Sequence, residues 1–119
     1  MEQYHEPVEE LTQEDRNMVR ALMSLKEEVE AVNWYQQRAS ATEDEELSDV
    51  LAHNRDEEIE HACMAIEWLR RNMPGWDEEL RTYLFSEEPI TKLEELEEEG
   101  EEPEEEGKGP DDLQLGNMK

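Results

Sequence analysis

Apolar residues recur at alternating four- and three-residue steps in the stretch LTQEDRNMVRALMSLKEEVEAVNWYQQRA, residues 11–39, and this spacing constrains the fold most strongly. The recurring residues are Met18, Leu22, Leu25, Val29 and Val32. Such spacing places one apolar stripe along a helix, as in helices that pack lengthwise against a partner helix. We therefore predict a long first helix with Thr12 as its N-cap and Asp15 in its first turn.

A second long helix is predicted after a break at residues 40–42. We expect Thr42 and Glu45 to form its capping box, and Pro74-Gly75 to end it. A shorter helix is expected over residues 77–85, and no stretch alternates as a β-strand does. The sequence thus predicts an all-α fold, an antiparallel two-helix hairpin followed by a short third helix.

The charge balance excludes several classes of partner. The chain has 36 acidic and 11 basic residues and a formal net charge of −25. Binding of DNA or RNA through phosphates depends on Lys and Arg, so we expect no nucleic-acid partner, but attraction of cations or of a basic surface. No apolar run approaches a membrane span, and the first ten residues lack a secretory signal. The lone Cys63 fits a reducing cytoplasm and is interpreted as a packing residue.

The acidity increases sharply towards the C-terminus. Residues 94–106 read EELEEEGEEPEEE, a run of like charge that is typical of disorder. We expect a helical domain over residues 1–92, an acidic disordered linker over 93–110, and a separate C-terminal peptide over 111–119.

The predicted second helix carries two stripes of residues at helical spacing. An ordinary apolar stripe consists of Ile59, Ala62, Ile66 and Leu69. The other stripe consists of Leu47, Leu51, Asn54, Glu58, His61, Ala65 and Trp68. Glu58 and His61 therefore stand where a packing helix normally has leucine. An ionised carboxylate in a helix interface is costly unless it is paired or binds a metal, so this position indicates a function.

The spacing of Glu58 and His61 is that of a di-iron carboxylate site. Four-helix bundles of this kind take one Glu from each of two helices and Glu-x-x-His from each of the other two. Glu28, at the edge of the apolar stripe on the first helix, supplies a matching glutamate, and Tyr35 lies seven residues later, placed to contact a ligand or the metal. One chain offers half of the ligands, so we expect a homodimer that completes the di-iron site and is favoured by metal binding.

Glu27, Glu30 and Trp34 recur on a different face of the first helix. One interpretation is a transient ion-access site that feeds the interface. The other is a solvated acidic face with one aromatic packing residue, and the spacing alone does not decide between them.

Three strings, EEVEAVNWYQQR, LAHNRDEEIEHACMAIEWLRRN and LRTYLFSEEPI, resemble encapsulated ferritins, the ferroxidases housed inside encapsulin nanocompartments. The resemblance covers residues from about 5 to 92. It implies that two-helix protomers dimerise into a ferritin-like four-helix bundle, and that dimers form an open ring, typically a decamer. It also implies oxidation of Fe(II) by oxygen in the prokaryotic cytoplasm, with the mineral stored inside the encapsulin shell.

The resemblance also assigns roles to individual residues. It implies that Glu28, Glu58 and His61 are iron ligands and that Tyr35 is the tyrosine beside them. The ion-access site of the family is matched by Glu27, Glu30 and Trp34. His53 matches the family string as well, but a hydrogen-bonded helix histidine explains it equally well.

The final residues LQLGNMK, 113–119, resemble encapsulin cargo-loading peptides. Leu113, Leu115 and Met118 are suited to apolar pockets on the inner wall of a shell, and Gly116 permits a turn or a close approach. The acidic linker is expected to keep this peptide extended and away from the acidic body of the protein.

Two other classes of function fit parts of the sequence. One is a structural helical-hairpin dimer in which Glu58 and His61 form a polar layer that fixes helix register. The other is an acidic binding module, either a nucleic-acid mimic or a calcium buffer. A calcium buffer is disfavoured because no Asp-x-Asp-x-Asp-Gly loop is present, and zinc hydrolysis because His-Glu-x-x-His is absent.

Overall fold

A computed structural model of the chain describes residues 3–100. Over these residues the fold is all-α, as predicted, with no strand. Its elements are a short 3₁₀ helix, Val8–Glu10, and four α-helices: α1, Gln13–Ala41; α2, Glu45–Asn72; α3, Trp76–Tyr83; and α4, Ile90–Glu98. The chain divides into two compact units between Asp77 and Glu78. The helical domain expected over residues 1–92 stays a prediction.

The first unit is the predicted hairpin, in which α1 and α2 pack along each other. Residues 42–44 connect the two helices. The Ser48 hydroxyl on α2 donates a hydrogen bond of 2.9 Å to the backbone carbonyl of Ala39 on α1. Farther along, the Arg55 guanidinium donates a hydrogen bond of 2.8 Å to the Gln36 side chain. The first bond joins the two helices beside the turn, and the second joins them closer to the middle of the hairpin.

The first predicted helix cap is confirmed and the second is wrong. Thr12 and Asp15 form a complete capping box at the start of α1. At the start of α2, however, the N-cap is Asp44, whose carboxylate accepts a hydrogen bond of 2.9 Å from the Leu47 backbone N–H. The expected pairing of Thr42 with Glu45 does not form because α1 continues through Ala41, and the Thr42 N–H closes that helix. At the other end of α2, the last helical residue precedes Pro74-Gly75, as predicted.

The interface between α1 and α2 differs from the predicted stripe by one residue. Met18, Leu22, Leu25 and Val32 are half-buried as expected. Val29 is 55% exposed, and the half-buried position in that turn belongs to Glu28. The physical reason is that burial depends on how α1 is rotated about its own axis against α2, which the spacing of residues along one helix does not specify.

The two stripes predicted on α2 are likewise only partly covered. Leu69 is completely buried, whereas Ile59 is 44% exposed and Leu47 is 46% exposed. Trp68 is 37% exposed. A hairpin of two helices covers one face of each, so the outer members of both stripes remain at the surface.

A cluster of charged residues fixes the end of α2. The Glu67 carboxylate accepts hydrogen bonds of 2.8 and 2.9 Å from Arg70 and one of 2.6 Å from Arg71. Arg70 also binds the Asp77 carboxylate, which lies beyond the Pro74-Gly75 turn. The guanidinium groups lower the pKa of Glu67 to about 2, so this carboxylate stays ionised far into the acid range.

The second unit contains the end of α3 and all of α4. The disordered linker expected from residue 93 is wrong for residues 93–98, which are helical. Leu93 is completely buried and Leu96 is half-buried, so the acidic run contains enough apolar spacing to pack one side of a helix. Residues 101–110 of the predicted linker, and the predicted peptide over 111–119 with Leu113, Leu115, Gly116 and Met118, lie outside the described residues.

Candidate metal centre

Glu28, Glu58 and His61 come together at the middle of the hairpin. The His61 Nδ1 atom lies 3.7 Å from Glu28 Oε1 and 3.5 Å from Glu58 Oε1. One ligand atom from each residue falls within 4.8 Å of the others. In the part of the chain that the structure describes, they form the one group of three His, Cys, Asp or Glu side chains with this geometry. The three residues predicted as metal ligands thus occupy a common site.

The local sequence explains how each ligand reaches this site. Glu58 and His61 are three residues apart, so α2 presents them on one face. Glu28 comes from α1, where it has the half-buried position that was expected for Val29. The side chains of Glu28 and Glu58 are 25% and 26% exposed, and that of His61 is 45% exposed. The carboxylates therefore line the interface while the imidazole stands at its rim, accessible from outside the hairpin.

The neighbouring Glu58 disfavours ionisation of Glu28. The pKa of Glu28 is raised, first by a hydrogen bond with the Glu58 carboxyl and then by burial and by the Glu58 charge, while His61 lowers it. A cation that binds there competes with a proton for the Glu28 carboxylate, because either one neutralises its charge.

The donor set suits iron. Carboxylate oxygens are hard ligands that can bridge two metal ions, and imidazole nitrogen also binds first-row transition metals. One Glu from one helix and Glu-x-x-His from the other is half of the ligand set of a di-iron bundle. The residues present therefore fit a carboxylate-rich iron site and match half of that ligand set.

Tyr35 lies on α1 two turns after Glu28 and is half-buried. The Arg38 guanidinium stands 5.5 Å from the centroid of its ring, at cation–π distance. Arg38 was not predicted, although the spacing Tyr-x-x-Arg on a helix is a signal that could have indicated it. The role of Tyr35 at the metal site remains a prediction.

The residues of the predicted ion-access site are exposed on α1. Glu27 and Glu30 are both exposed, and Trp34 is 48% exposed. Trp34 lines a shallow surface depression together with Gln37 and Arg38. Glu27 also contributes to the raised pKa of its neighbour Glu28, so the acidic face is in electrostatic contact with the metal centre.

One polar contact near the centre could not be predicted from the sequence, and a second fits the alternative given above for His53. The bridge from Arg55 to Gln36 lies about one turn before Glu58, and its two partners are far apart in sequence, so no local pattern predicts it. His53 lies 3.8 Å from the Glu57 carboxylate, four residues later on the exposed face of α2. Among residues 3–100, no helix is long and apolar enough to cross a membrane.

The fold and the site define a class, the helical-hairpin proteins that carry a ferritin-like half-site of carboxylates and histidine. The EncFtn-like family model matches residues 3–87, and the chain belongs to that family. The resemblance to encapsulated ferritins is therefore confirmed.

Individual relatives agree with this assignment. The chain is 68% identical over 94 residues to a "Ferritin-like protein" of Thermotoga maritima, which covers 79% of this chain and 82% of the relative. It is 58% identical over 97 residues to an "Encapsulated ferritin-like protein" of Rhodospirillum rubrum, covering 82% and 69% of the two chains. A crystal structure of a Nitrosomonas europaea protein superimposes with a TM-score of 0.71 at 56% identity, covering 73% of this chain and 96% of that one.

Proposed function

We propose that this protein is a ferroxidase that oxidises Fe(II) to Fe(III), with oxygen as the electron acceptor. The reaction takes place at a di-iron site in which each of two copies supplies Glu28, Glu58 and His61. The observation that carries the proposal is the convergence of these three side chains within 4.8 Å at the middle of the hairpin. Membership in a ferritin-like family supports iron as the metal.

The residues of the site have separate tasks in this proposal. Glu28 and Glu58 supply negative charge, which attracts Fe(II) and favours the more highly charged Fe(III) product. Each carboxylate has two oxygens and is able to bridge the two iron ions. His61 supplies a neutral nitrogen ligand from the accessible rim. Because the pKa of Glu28 is raised, iron competes with a proton for this carboxylate, and iron uptake is expected to depend on pH.

Exposed apolar side chains, as well as the number of ligands, support the need for a second copy of the chain. Val29 and Ile59 directly follow Glu28 and Glu58 in sequence, and they are 55% and 44% exposed. Exposed apolar side chains on both helices are expected to be covered by another protein surface. A two-fold related hairpin covers them and brings the second ligand set to the same place. The decameric ring rests on the family resemblance.

Further parts of the proposal concern the path of iron. Glu27, Glu30 and Trp34 form the ion-access site on the exposed face of α1, from which Fe(II) passes to the interface. Tyr35 contacts the ligands or the iron from α1 and is held by Arg38. A purely solvated acidic face would leave the rate of iron uptake unchanged when Glu27 and Glu30 are replaced together.

The cellular setting follows from the C-terminal sequence and from a relative. Residues 113–119 attach the protein to the inner wall of an encapsulin shell through Leu113, Leu115, Gly116 and Met118. The protein thus acts inside a nanocompartment in the prokaryotic cytoplasm, where the iron mineral is stored. The name of the Rhodospirillum rubrum relative, "Encapsulated ferritin-like protein", supports this assignment.

The activity is tested by following oxygen consumption after addition of Fe(II) to the full chain. Replacement of Glu58 or His61 by Ala is expected to abolish turnover. The matched control is Glu57→Ala, which removes an exposed carboxylate from the same turn of α2. Wild-type rates in Glu58→Ala would refute the ferroxidase site, and an intact dimer without any turnover in the wild type would favour the structural alternative.

The shell assignment is tested separately. The full chain and a chain that ends at residue 112 are each co-expressed with the encapsulin of the same organism. Purified shells are expected to contain only the full chain. Equal loading of both chains would show that residues 113–119 do not direct encapsulation.

A further inference from the structure

The charges of α4 are arranged against the dipole of the helix. A helix N-terminus favours acidic side chains and a C-terminus favours basic ones. The first turn of α4 has no acidic residue, and it contains Lys92. Its last turn has no basic residue, and it contains Glu97 and Glu98. Pro89 precedes the helix and provides no side-chain cap. Within the helix, the charges at both ends therefore oppose the dipole, and the acidic residues Glu87 and Glu88 lie outside it, before Pro89.

The longer helix α2 shows the opposite arrangement in the same protein. Glu45 and Glu46 lie in its first turn, and Arg70 and Arg71 lie in its last turn. It also has a side-chain cap from Asp44. The reversed polarity of α4 is thus not a general result of the acidic composition.

Acidic groups from α3 add to this repulsion. The pKa of Glu97 is raised by burial and by the negative charges of neighbouring glutamates. The contributing carboxylates belong to Glu78 and Glu79 on α3 and to Glu94 and Glu98 on α4. Protonation of Glu97 therefore favours the folded helix, and the helix loses stability as the pH rises through this raised pKa.

The same acidic region surrounds Tyr83 at the end of α3. Its phenol pKa is raised by burial and then by Glu97, Glu94 and Glu79. The basic residues on the two helices of this unit are Arg81 and Lys92. Acidic charge thus predominates on both helices where they approach each other.

Little apolar packing opposes this repulsion. Leu93 is completely buried and Leu96 is half-buried, whereas Ile90 at the start of the helix is 71% exposed. A helix of 9 residues is too short to be stable in water by itself. The folded state of α4 therefore depends mainly on the burial of Leu93.

We propose that α4 is a charge-controlled helix that unfolds when its acidic groups repel one another freely and folds when salt or protons reduce that repulsion. Its folding sets the length that residues 90–98 contribute between the rest of the chain and its C-terminus. Nine residues span about 14 Å as a helix but up to about 30 Å when extended. The importance of this reach for attachment to a shell rests on the proposed function. The helix–coil change itself does not.

Hydrogen–deuterium exchange of the full chain, followed by mass spectrometry at neutral pH, tests the proposal. Peptides that cover residues 90–98 are compared at about 0.02 M and about 0.5 M NaCl, which span strong changes in screening. We expect protection to rise roughly tenfold with salt, because screening weakens several unfavourable charge interactions together. Protection that is independent of salt, or that falls with salt, would overturn the proposal.

Charge reversal provides the second arm. The variant E95K/E98K places basic residues near the end of α4 and should show high protection already at low salt. The matched control E57K/E60K makes the same charge change on the exposed face of α2 and should leave exchange in α4 salt-dependent. Leu93→Ala should lose protection at both salt concentrations. A charge-reversed helix no more protected than the wild type would contradict the mechanism.

The two proposals fail in different ways. If deletion of residues 113–119 leaves shell loading intact while α4 responds to salt, the shell assignment fails and the charge-controlled helix stands. If shell loading requires residues 113–119 while hydrogen exchange in α4 does not change with salt or charge reversal, the charge-controlled helix fails and the shell assignment stands.

Discussion

Replacement of Glu67 by Gln tests the energetic value of the charged cluster at the end of α2. The Glu67 carboxylate accepts hydrogen bonds from both Arg70 and Arg71. The pKa of Glu67 is about 2, against an ordinary value of 4.5. This difference sets an upper limit of roughly 3 kcal/mol on the stabilisation of the folded state by the ionised carboxylate. The side chain is 43% exposed, so screening by water reduces this to about 1 kcal/mol.

The assay is urea unfolding at one fixed protein concentration, followed by circular dichroism. We expect E67Q to lower the free energy of unfolding by about 1 kcal/mol at neutral pH. The control E60Q removes an exposed carboxylate from the same helix and should change stability by less than about 0.5 kcal/mol.

The pH dependence provides a sharper test of the same reasoning. Because the pKa of Glu67 is lowered in the folded state, its stabilisation is fully present above pH 4.5 and is lost as the pH falls from 4.5 towards about 2. The stability difference between wild type and E67Q should therefore persist at neutral pH and fade within that acid window. A variant as stable as the wild type at neutral pH would refute the value assigned to the cluster.

Three further predictions concern the metal centre, the dimer and the turn. With Co(II) as the metal probe, binding should release protons and should be weaker at pH 5 than at pH 7, because the pKa of Glu28 is raised. Calorimetry in buffers of different ionisation enthalpy measures this proton release. V29D/I59D should dissociate the dimer in analytical ultracentrifugation without unfolding the hairpin, because both side chains are exposed in one chain. Asp44→Ala should cost about 1 kcal/mol in thermal unfolding through loss of the N-cap, whereas Glu45→Gln should cost less.

The sequence predicted those features of the fold that depend on neighbouring residues. The helix spacing, the capping box of Thr12 and Asp15, and the end of α2 before Pro74-Gly75 all follow from local patterns. The cap of α2 was predicted at Thr42 instead of Asp44 because the choice depends on where α1 ends, and that is set by packing. Local rules offered two suitable capping residues and no means of choosing between them.

Other errors come from contacts between distant parts of the chain. The exposure of Val29 and the half-burial of Glu28 depend on how far each helix rotates against the other. The helical state of residues 93–98 depends on the burial of Leu93, which an acidic composition conceals. For the metal centre, the pair Glu58 and His61 was evident from spacing.

Glu28 could be predicted as the third ligand only by assuming the geometry of a hairpin. The Arg55–Gln36 bridge requires the same geometry and left no local signal. Residue types therefore indicated the chemistry of the centre, and packing between α1 and α2 determined which side chains reach it.

The position of the turn at residues 42–44 limits how this chain can change during evolution. Glu28 lies 15 positions before residue 43, the middle of the turn, and Glu58 lies 15 positions after it (43 − 28 and 58 − 43). Insertion of one residue into α2 between Asp44 and Glu58 would rotate Glu58 by about 100° and move it by about 1.5 Å relative to Glu28. Point substitutions on the outer faces leave that relation intact. Lineages of this protein should therefore diverge freely in surface composition while the number of residues between the two glutamates stays constant.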